Sequence, residues 1–204
     1  MNTSTRSTGR TTWVAVRAMA LFTVLLGIVY TITITGIAQL AFPAQANGSI
    51  IRDGGSQVVG SALIGQSFAD DDGVPLPEYF QPRPSAAGDV YDAGASSGSN
   101  YGPENPDLIA AIEDRRAQVA EFNDVPADQV PPDAVTASSS GLDPHISPEY
   151  ATIQVARVAA ARNLPIETVR DLLASHTQGH ELGYLGEPRV NVLELNLALD
   201  ELER

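Results

Sequence analysis

Residues 18–40 read AMALFTVLLGIVYTITITGIAQL and contain no charged side chain. Arg17 is the last charge before this stretch, and Arg52 is the first charge after it. At ~1.5 Å per residue the stretch forms a helix of ~34 Å, enough to cross a hydrocarbon layer of ~30 Å. Its threonine hydroxyls can donate to carbonyls of the preceding helical turn. Because no polar stripe runs along it, the stretch predicts one membrane-spanning helix and not the core helix of a soluble domain.

A cleaved signal peptide is the alternative for the same stretch. Arg6, Arg10 and Arg17 would form its basic end, and residues 44–46 (AQA) fit a small-x-small cleavage site. The apolar core is longer than the about 7–15 residues of a signal peptide, which favours an uncleaved anchor. Both interpretations send the rest of the chain across the membrane. Since three arginines precede the stretch and only Arg52 follows it closely, the amino terminus is predicted to be cytoplasmic.

These observations divide the chain into three parts. They are a cytoplasmic basic tail at residues 1–12, a transmembrane anchor at 13–42 and an extracytoplasmic domain at 43–204. We expect the Ser-, Thr- and Arg-rich tail to lack regular structure.

All 25 acidic residues follow position 42, against nine arginines, so the third part has a net charge of about −16. That charge disfavours nucleic acid and favours solubility or nearby cations. With no cysteine, the chain has no disulfide and no thiolate metal site.

The third part is predicted to be an α+β domain, mainly helical, with a short hairpin. Asp-Gly-Gly at 53–55 is a turn signal between strand-like residues. Residues 68–106 are rich in Gly, Pro, Ser, Asp and Asn, which predicts a functional or disordered loop. Capping residues and prolines predict helices at 106–123, from 148 to about 162, from 165, and from about 192. Alternating leucines at 193–199 also fit a strand, but Asn191 and Glu194 suit a capping box and favour the helix.

Few residues in this domain suggest a catalytic, metal-binding or anion-binding site. Asp143 and His145, with several serines, offer the parts of a nucleophilic site, yet no GxSxG motif frames a serine. His145, His176 and His180 are candidate metal ligands, but a glycine separates the last two and disfavours a helical pair. Residues 96–100 either cradle an anion through backbone N–H groups or form a loop that is simply flexible or contacts a partner. These patterns favour a domain with no catalytic residue and no metal.

Short motifs spread along the chain resemble, in order, those of a single family. They are 42–49 (FPAQANGS), 60–66 (GSALIGQ), 80–85 (FQPRPS), 96–100 (SSGSN), 135–138 (VTAS), 140–143 (SGLD), 146–148 (ISP), 157–159 (RVA) and 194–200 (ELNLALD). Each motif is weak alone, but the ordered set is specific. The chain resembles the C subunit of the Kdp-type potassium-transporting P-type ATPase, the KdpC family.

The resemblance implies a non-catalytic, single-span accessory subunit of a cell-membrane complex that takes up K⁺ at the expense of ATP. Its partners would be a channel-like A subunit, an ATP-hydrolysing B subunit, a small F subunit and membrane lipid. The family carries an ATP-binding label and is described as a catalytic chaperone that raises the ATP affinity of the B subunit. The glutamine invoked for this effect matches Gln154. The remaining family-like motifs supply candidate partner contacts: Phe80, Arg83, Ser96, Ser97, Asn100 and Asp143.

The sequence argues against direct ATP binding by this chain. ATP is cytoplasmic, whereas Gln154 is expected on the outer side. The chain contains no lysine, so it cannot form a GxxxxGK[ST] phosphate loop. An effect on nucleotide affinity would then be a coupling through subunit contacts, and Gln154 has a simple structural alternative as a polar group at the edge of the core. The alternative function is a freestanding, membrane-anchored extracytoplasmic binding module.

Overall fold

The computed structural model describes residues 4–202, which separate into two compact units at Ile50. The first unit is helical: α1 (Ser4–Phe22), a π-helical stretch (Thr23–Tyr30), α2 (Thr31–Ala41) and the short α3 (Pro43–Ala46). The expectation that residues 1–12 lack regular structure is wrong from Ser4 onward, because α1 already begins there. Residues 1–3 lie outside the described part of the chain.

The first unit contains the predicted apolar helix. Residues Thr8–Ala41 form a helix of 34 residues that contains an 18-residue window with a mean hydropathy of 2.1 and no buried residue, so by length and composition it can cross a membrane. Two of the threonines form such bonds: the Thr33 hydroxyl donates to the Val29 carbonyl at 2.8 Å, and the Thr31 hydroxyl donates to the Leu26 carbonyl at 3.4 Å. Pro43 ends α2 as expected, because Phe42 leaves the helical region before α3 starts.

The second unit begins with the predicted hairpin. Strand β1 (Ile50–Arg52) pairs with β2 (Val58–Ser61). The turn between them is fixed by Asp53, whose Oδ1 accepts from the backbone N–H of Gly55 at 2.9 Å and of Gln57 at 2.8 Å.

Four helices follow where the capping residues predict them. They are α4 (Pro106–Asn123), α5 (Pro148–Ala161), α6 (Ile166–His176) and α7 (Val192–Leu202). Asn105 caps α4, and the Ser147 hydroxyl caps α5 by accepting from the Tyr150 N–H at 3.0 Å. At α7, Asn191 Oδ1 accepts from the Glu194 N–H at 3.2 Å. Residues 193–199 are therefore helical, and the strand alternative for them is wrong.

A small antiparallel sheet was not predicted. Strand β5 (Arg189–Asn191) lies between β3 (His145–Ile146) and β4 (Thr177–Gln178), with Ile146 opposite Val190 on one side and Thr177 opposite Val190 on the other. The strands are two or three residues long, which is too short for a visible alternation of polar and apolar residues.

The core lies where α5, α6 and α7 meet this sheet. Its fully buried side chains include Val158 of α5, Val169 of α6 and Leu199 of α7. Residues 62–105 contain no helix or strand, yet they contribute Phe80, which is completely buried. The loop predicted at 68–106 is thus ordered around Phe80. There it packs on the helices and forms part of the candidate site.

Candidate functional site

The backbone around Gln81 is held by a buried amide of α5. Gln154 is completely buried, and its Oε1 accepts from the Gln81 N–H at 2.7 Å while its Nε2 donates to the Gln81 carbonyl at 3.1 Å. The same Oε1 also accepts from Arg157 Nη2 at 2.8 Å. The side chain thus pairs with the segment as a neighbouring β-strand would, and it leaves no surface for a ligand.

A second buried amide, from α7, holds the preceding residue in the same way. Asn196 is 1% exposed; its Oδ1 accepts from the Phe80 N–H at 2.8 Å and its Nδ2 donates to the Phe80 carbonyl at 2.9 Å. We call Gln154 and Asn196 the amide clamp. It satisfies four backbone groups that would otherwise be buried without partners, each at a cost of about 1–3 kcal/mol.

Arg157 of α5 and Arg162, the residue that follows α5, extend the clamp toward residues 77–79. Arg157 donates to the carbonyls of Pro77 and Tyr79 and lies 4.3 Å above the ring centroid of Phe122. Burial lowers the pKa of Arg157 to about 10, which leaves the guanidinium charged at neutral pH. Arg162 donates to the Glu78 carbonyl at 2.7 Å. The segment is therefore held in part by hydrogen bonds from α5 and the residue after it to the segment's backbone carbonyls.

Arg83, Asp143 and His145 form the charged group of the site. Arg83 Nη1 lies 2.9 Å from Asp143 Oδ2, and the His145 N–H donates to Asp143 Oδ1 at 3.0 Å. Burial alone would raise the pKa of Asp143, but the bonds from His145 and the Arg83 charge outweigh it and hold this pKa below its ordinary value. The structure thus joins two predicted site residues that are sixty positions apart.

The loop at 96–100 packs against residues 138–141 through backbone contacts. The Ser97 N–H donates to the Ser140 carbonyl at 3.0 Å, and the Ser96 hydroxyl donates to the same oxygen at 2.9 Å. Asn100 Nδ2 donates within the loop, to the Gly98 carbonyl at 3.0 Å. Gly141 makes the approach possible, since its φ is +70° and a Cβ there would lie 2.6 Å from the Ser97 carbonyl oxygen. A Ser97 N–H that is used in this way is not free to cradle an anion.

The predicted site residues therefore occupy different environments. Arg83, Asp143, Ser96, Ser97 and Asn100 retain exposed or partly exposed side chains, as a partner contact requires. Phe80 packs in the core, so we do not propose its side chain as a contact. Gln154 cannot meet a nucleotide while its amide holds Gln81.

The nucleophilic and metal alternatives find no matching geometry in the described residues. His145 Nδ1 lies 3.6 Å from Asp143 Oδ1, but the Ser147 hydroxyl donates to Asp133 instead of lying on the imidazole. The His176 imidazole contacts the Leu172 carbonyl, and the His180 imidazole contacts the Gly186 carbonyl. No cluster of three or more His, Asp or Glu side chains within residues 4–202 could hold a metal ion.

Sequence reasoning missed Asn196, Arg157 and Arg162 as the groups that hold the segment. Asn196 carried a signal, because it lies one helical turn after Val192, on the apolar face of α7, where a polar residue needs a partner. The arginines carried none, since long charged side chains are ordinary on helix surfaces.

The fold and the site define a class: a chain with one exposed apolar helix and a small α+β domain whose buried polar groups mostly bind its own backbone. Comparison with known proteins specifies the family. The KdpC family, described as K⁺-transporting ATPase, c chain, matches residues 12–201. A potassium-transporting ATPase KdpC subunit of Beijerinckia indica is 55% identical over 183 residues, covering 90% of this chain and 89% of the relative. The Mycobacterium tuberculosis subunit of the same name is 53% identical over 190 residues, covering 92% and 96%. The chain belongs to the KdpC family of potassium-transporting ATPase subunits.

Proposed function

We propose that this chain is a non-catalytic accessory subunit of a K⁺-transporting P-type ATPase complex, and that it stabilises the assembly and modulates the ATP-hydrolysing B subunit. The observation that carries the proposal is KdpC membership over residues 12–201 combined with one exposed apolar helix ahead of a compact domain. The amide clamp supports a non-catalytic role, because it uses the most buried polar side chains for structure.

Co-purification tests the assembly. An affinity tag on this chain, in membranes solubilised with a mild detergent, should retain the channel-like A subunit, the B subunit and the small F subunit in fixed ratios. A freestanding binding module would be recovered alone, and that result would refute the proposal.

The proposed topology places the amino terminus in the cytoplasm and residues from about 43 onward outside the cell membrane. Three arginines precede the uncharged stretch at residues 18–40, and only Arg52 follows it closely, which supports this orientation. Protease added to intact protoplasts should digest the second unit, whereas a tag at the amino terminus should survive. Digestion of the tag with survival of the second unit would show the opposite orientation.

We infer that Gln154 affects nucleotide affinity only by positioning the segment at residues 77–83. The amide is fully engaged by Gln81 and Arg157, and a nucleotide would have to displace both. The effect is then a coupling energy between subunits, typically about 1–3 kcal/mol, or roughly a 5- to 150-fold change in affinity.

Asn196 provides the matched control for this inference. It holds the neighbouring residue of the same segment, yet it is not the glutamine that the family description invokes. Gln154→Leu and Asn196→Leu should weaken ATP binding by the purified complex to a similar extent. If Gln154 were a nucleotide ligand, only the first substitution would weaken it, and the positioning role would be excluded.

A further inference from the structure

A cavity of about 370 Å³ opens between α4 and residues 67–91. That volume is at the lower end of the range of about 300–1,000 Å³ in which proteins bind small molecules or side chains of a partner. Val119 and Phe122 of α4, with Tyr91 and Pro82 of the long segment, form an apolar part of its wall. The cavity is built entirely from the second unit, and neither the amide clamp nor the predicted serine loop uses it.

The charge of the cavity is opposite to that of the domain. Its lining contains two arginines, Arg83 and Arg115, and no acidic residue, although residues 43–204 have a net charge of about −16. Arg83 is neutralised by Asp143. Arg115 is partly buried, and its hydrogen bond among the described residues goes to an uncharged group, the Val135 carbonyl, at 3.2 Å.

Among the described residues, Arg115 forms no ion pair with a carboxylate. A guanidinium removed from water in this way gains most from an anionic partner, and carboxylates match its planar geometry best. A further donor is also unused: Arg83 Nε is the one buried side-chain polar atom of the described residues that has no hydrogen-bond partner. Both arginines belong to the lining of the same cavity.

We propose that the cavity binds a segment of another subunit that presents a carboxylate beside an aromatic or aliphatic side chain. The carboxylate would pair with Arg115, and the apolar side chain would lie against Val119 and Phe122. The inference rests on the proposed function, because it needs an assembled complex. An anionic membrane surface is disfavoured as the occupant, because it would bring many negative charges close to a domain with a net charge of about −16, whereas a single carboxylate has to approach only Arg115.

Adjacent arginines give a matched test. Arg115→Gln and Arg116→Gln remove the same charge from neighbouring positions of α4, but Arg116 is exposed and does not line the cavity. With the full chain tagged and co-expressed with the other subunits, Arg115→Gln should weaken subunit retention at least about tenfold, and Arg116→Gln by less than about twofold. The difference should shrink as the salt concentration rises.

A second variant covers the case in which Arg115→Gln unfolds. Gln118 is exposed and lines the cavity, so Gln118→Glu adds a repelling charge without removing a described hydrogen bond. Thermal unfolding of each variant, followed by circular dichroism, separates folding from binding. Weaker retention by Gln118→Glu with unchanged unfolding supports the proposal; retention equal to that of the Arg116→Gln control overturns it.

A free amphipathic carboxylate is the competing occupant, and decanoate is its probe. Decanoate binding is measured by calorimetry on the full chain in nanodiscs of uncharged lipid. We expect no saturable binding that depends on Arg115, so Arg115→Gln should not change the signal. If decanoate binds saturably, Arg115→Gln abolishes that binding, and Arg115→Gln leaves subunit retention unchanged, then the occupant is a small ligand and the proposal is overturned. If the unmodified chain retains no subunits at all, the proposed function fails first, which is a distinguishable result.

Discussion

Replacing Gln154 by leucine tests the amide clamp. Gln154→Leu keeps the volume of the buried side chain but removes its bonds to the Gln81 N–H, the Gln81 carbonyl and Arg157 Nη2. Each buried polar group left without a partner costs about 1–3 kcal/mol. Because Arg157 keeps its bonds to other carbonyls and the segment can partly relax, we expect a loss of about 3 kcal/mol in the free energy of unfolding. For a unit of about 150 residues this lowers the melting temperature by roughly 6–12 °C.

The measurement is thermal unfolding of the full chain in a mild detergent, followed by circular dichroism, with hydrogen exchange at the Gln81 amide as a local probe. Gln118→Leu is the control, because Gln118 is an exposed helical glutamine and its replacement should change stability by less than about 0.5 kcal/mol. The Gln81 amide should exchange faster in Gln154→Leu only. Equal melting temperatures for the two variants, with an unchanged exchange rate at Gln81, would refute the clamp.

Three further predictions follow from the site. Gly141→Ala should destabilise the fold by about 2 kcal/mol or more in thermal unfolding, because the residue has a φ of +70° and no room for a Cβ, whereas Gly102→Ala, with open space around it, should not. The pKa of Asp143 is lower in the folded chain than in the unfolded one. Its carboxylate therefore stabilises the fold at pH values above its ordinary pKa of about 3.9. This stabilisation is lost as the pH falls through the pKa of the folded state. Melting temperatures measured from pH 6 down to pH 3 should therefore fall less steeply in Asp143→Asn, and parallel curves would contradict the ion pair. Arg157→Lys keeps the charge but loses the planar set of donors, and should cost roughly 2–3 kcal/mol in the same unfolding assay, against little change for the exposed Arg170→Lys.

Local chemistry explains why much of the fold was predictable. The apolar helix follows from the absence of charge between Arg17 and Arg52. The starts of α4, α5 and α7 follow from capping bonds that join residues two or three positions apart, such as Asn105 with Asp107 and Ser147 with Tyr150. A pattern within a few residues is enough to specify such bonds, and the structure has each of them.

Only part of the membership of the candidate site was predictable from the sequence. The family-like motifs contain Arg83 and Asp143, and Gln154 lies in the helix after the motif at 146–148, but no local pattern says which residues will meet. Arg83 and Asp143 are 60 positions apart, and the sequence around either residue does not indicate that the other is its partner. Phe80 shows the limit most directly, because an aromatic residue in a Pro-rich loop resembles a surface contact until the helices that bury it are in place.

By itself the sequence determined one apolar helix, an acidic domain after it, the caps of the later helices and membership of the KdpC family. Only the tertiary structure decided what the buried amides do. Gln154 meets a backbone 73 positions away and Asn196 one 116 positions away, and both pairings exist only after α5 and α7 have packed on the core. The physical reason is that a buried amide requires a hydrogen-bond partner, while its sequence neighbourhood leaves open which distant backbone supplies it.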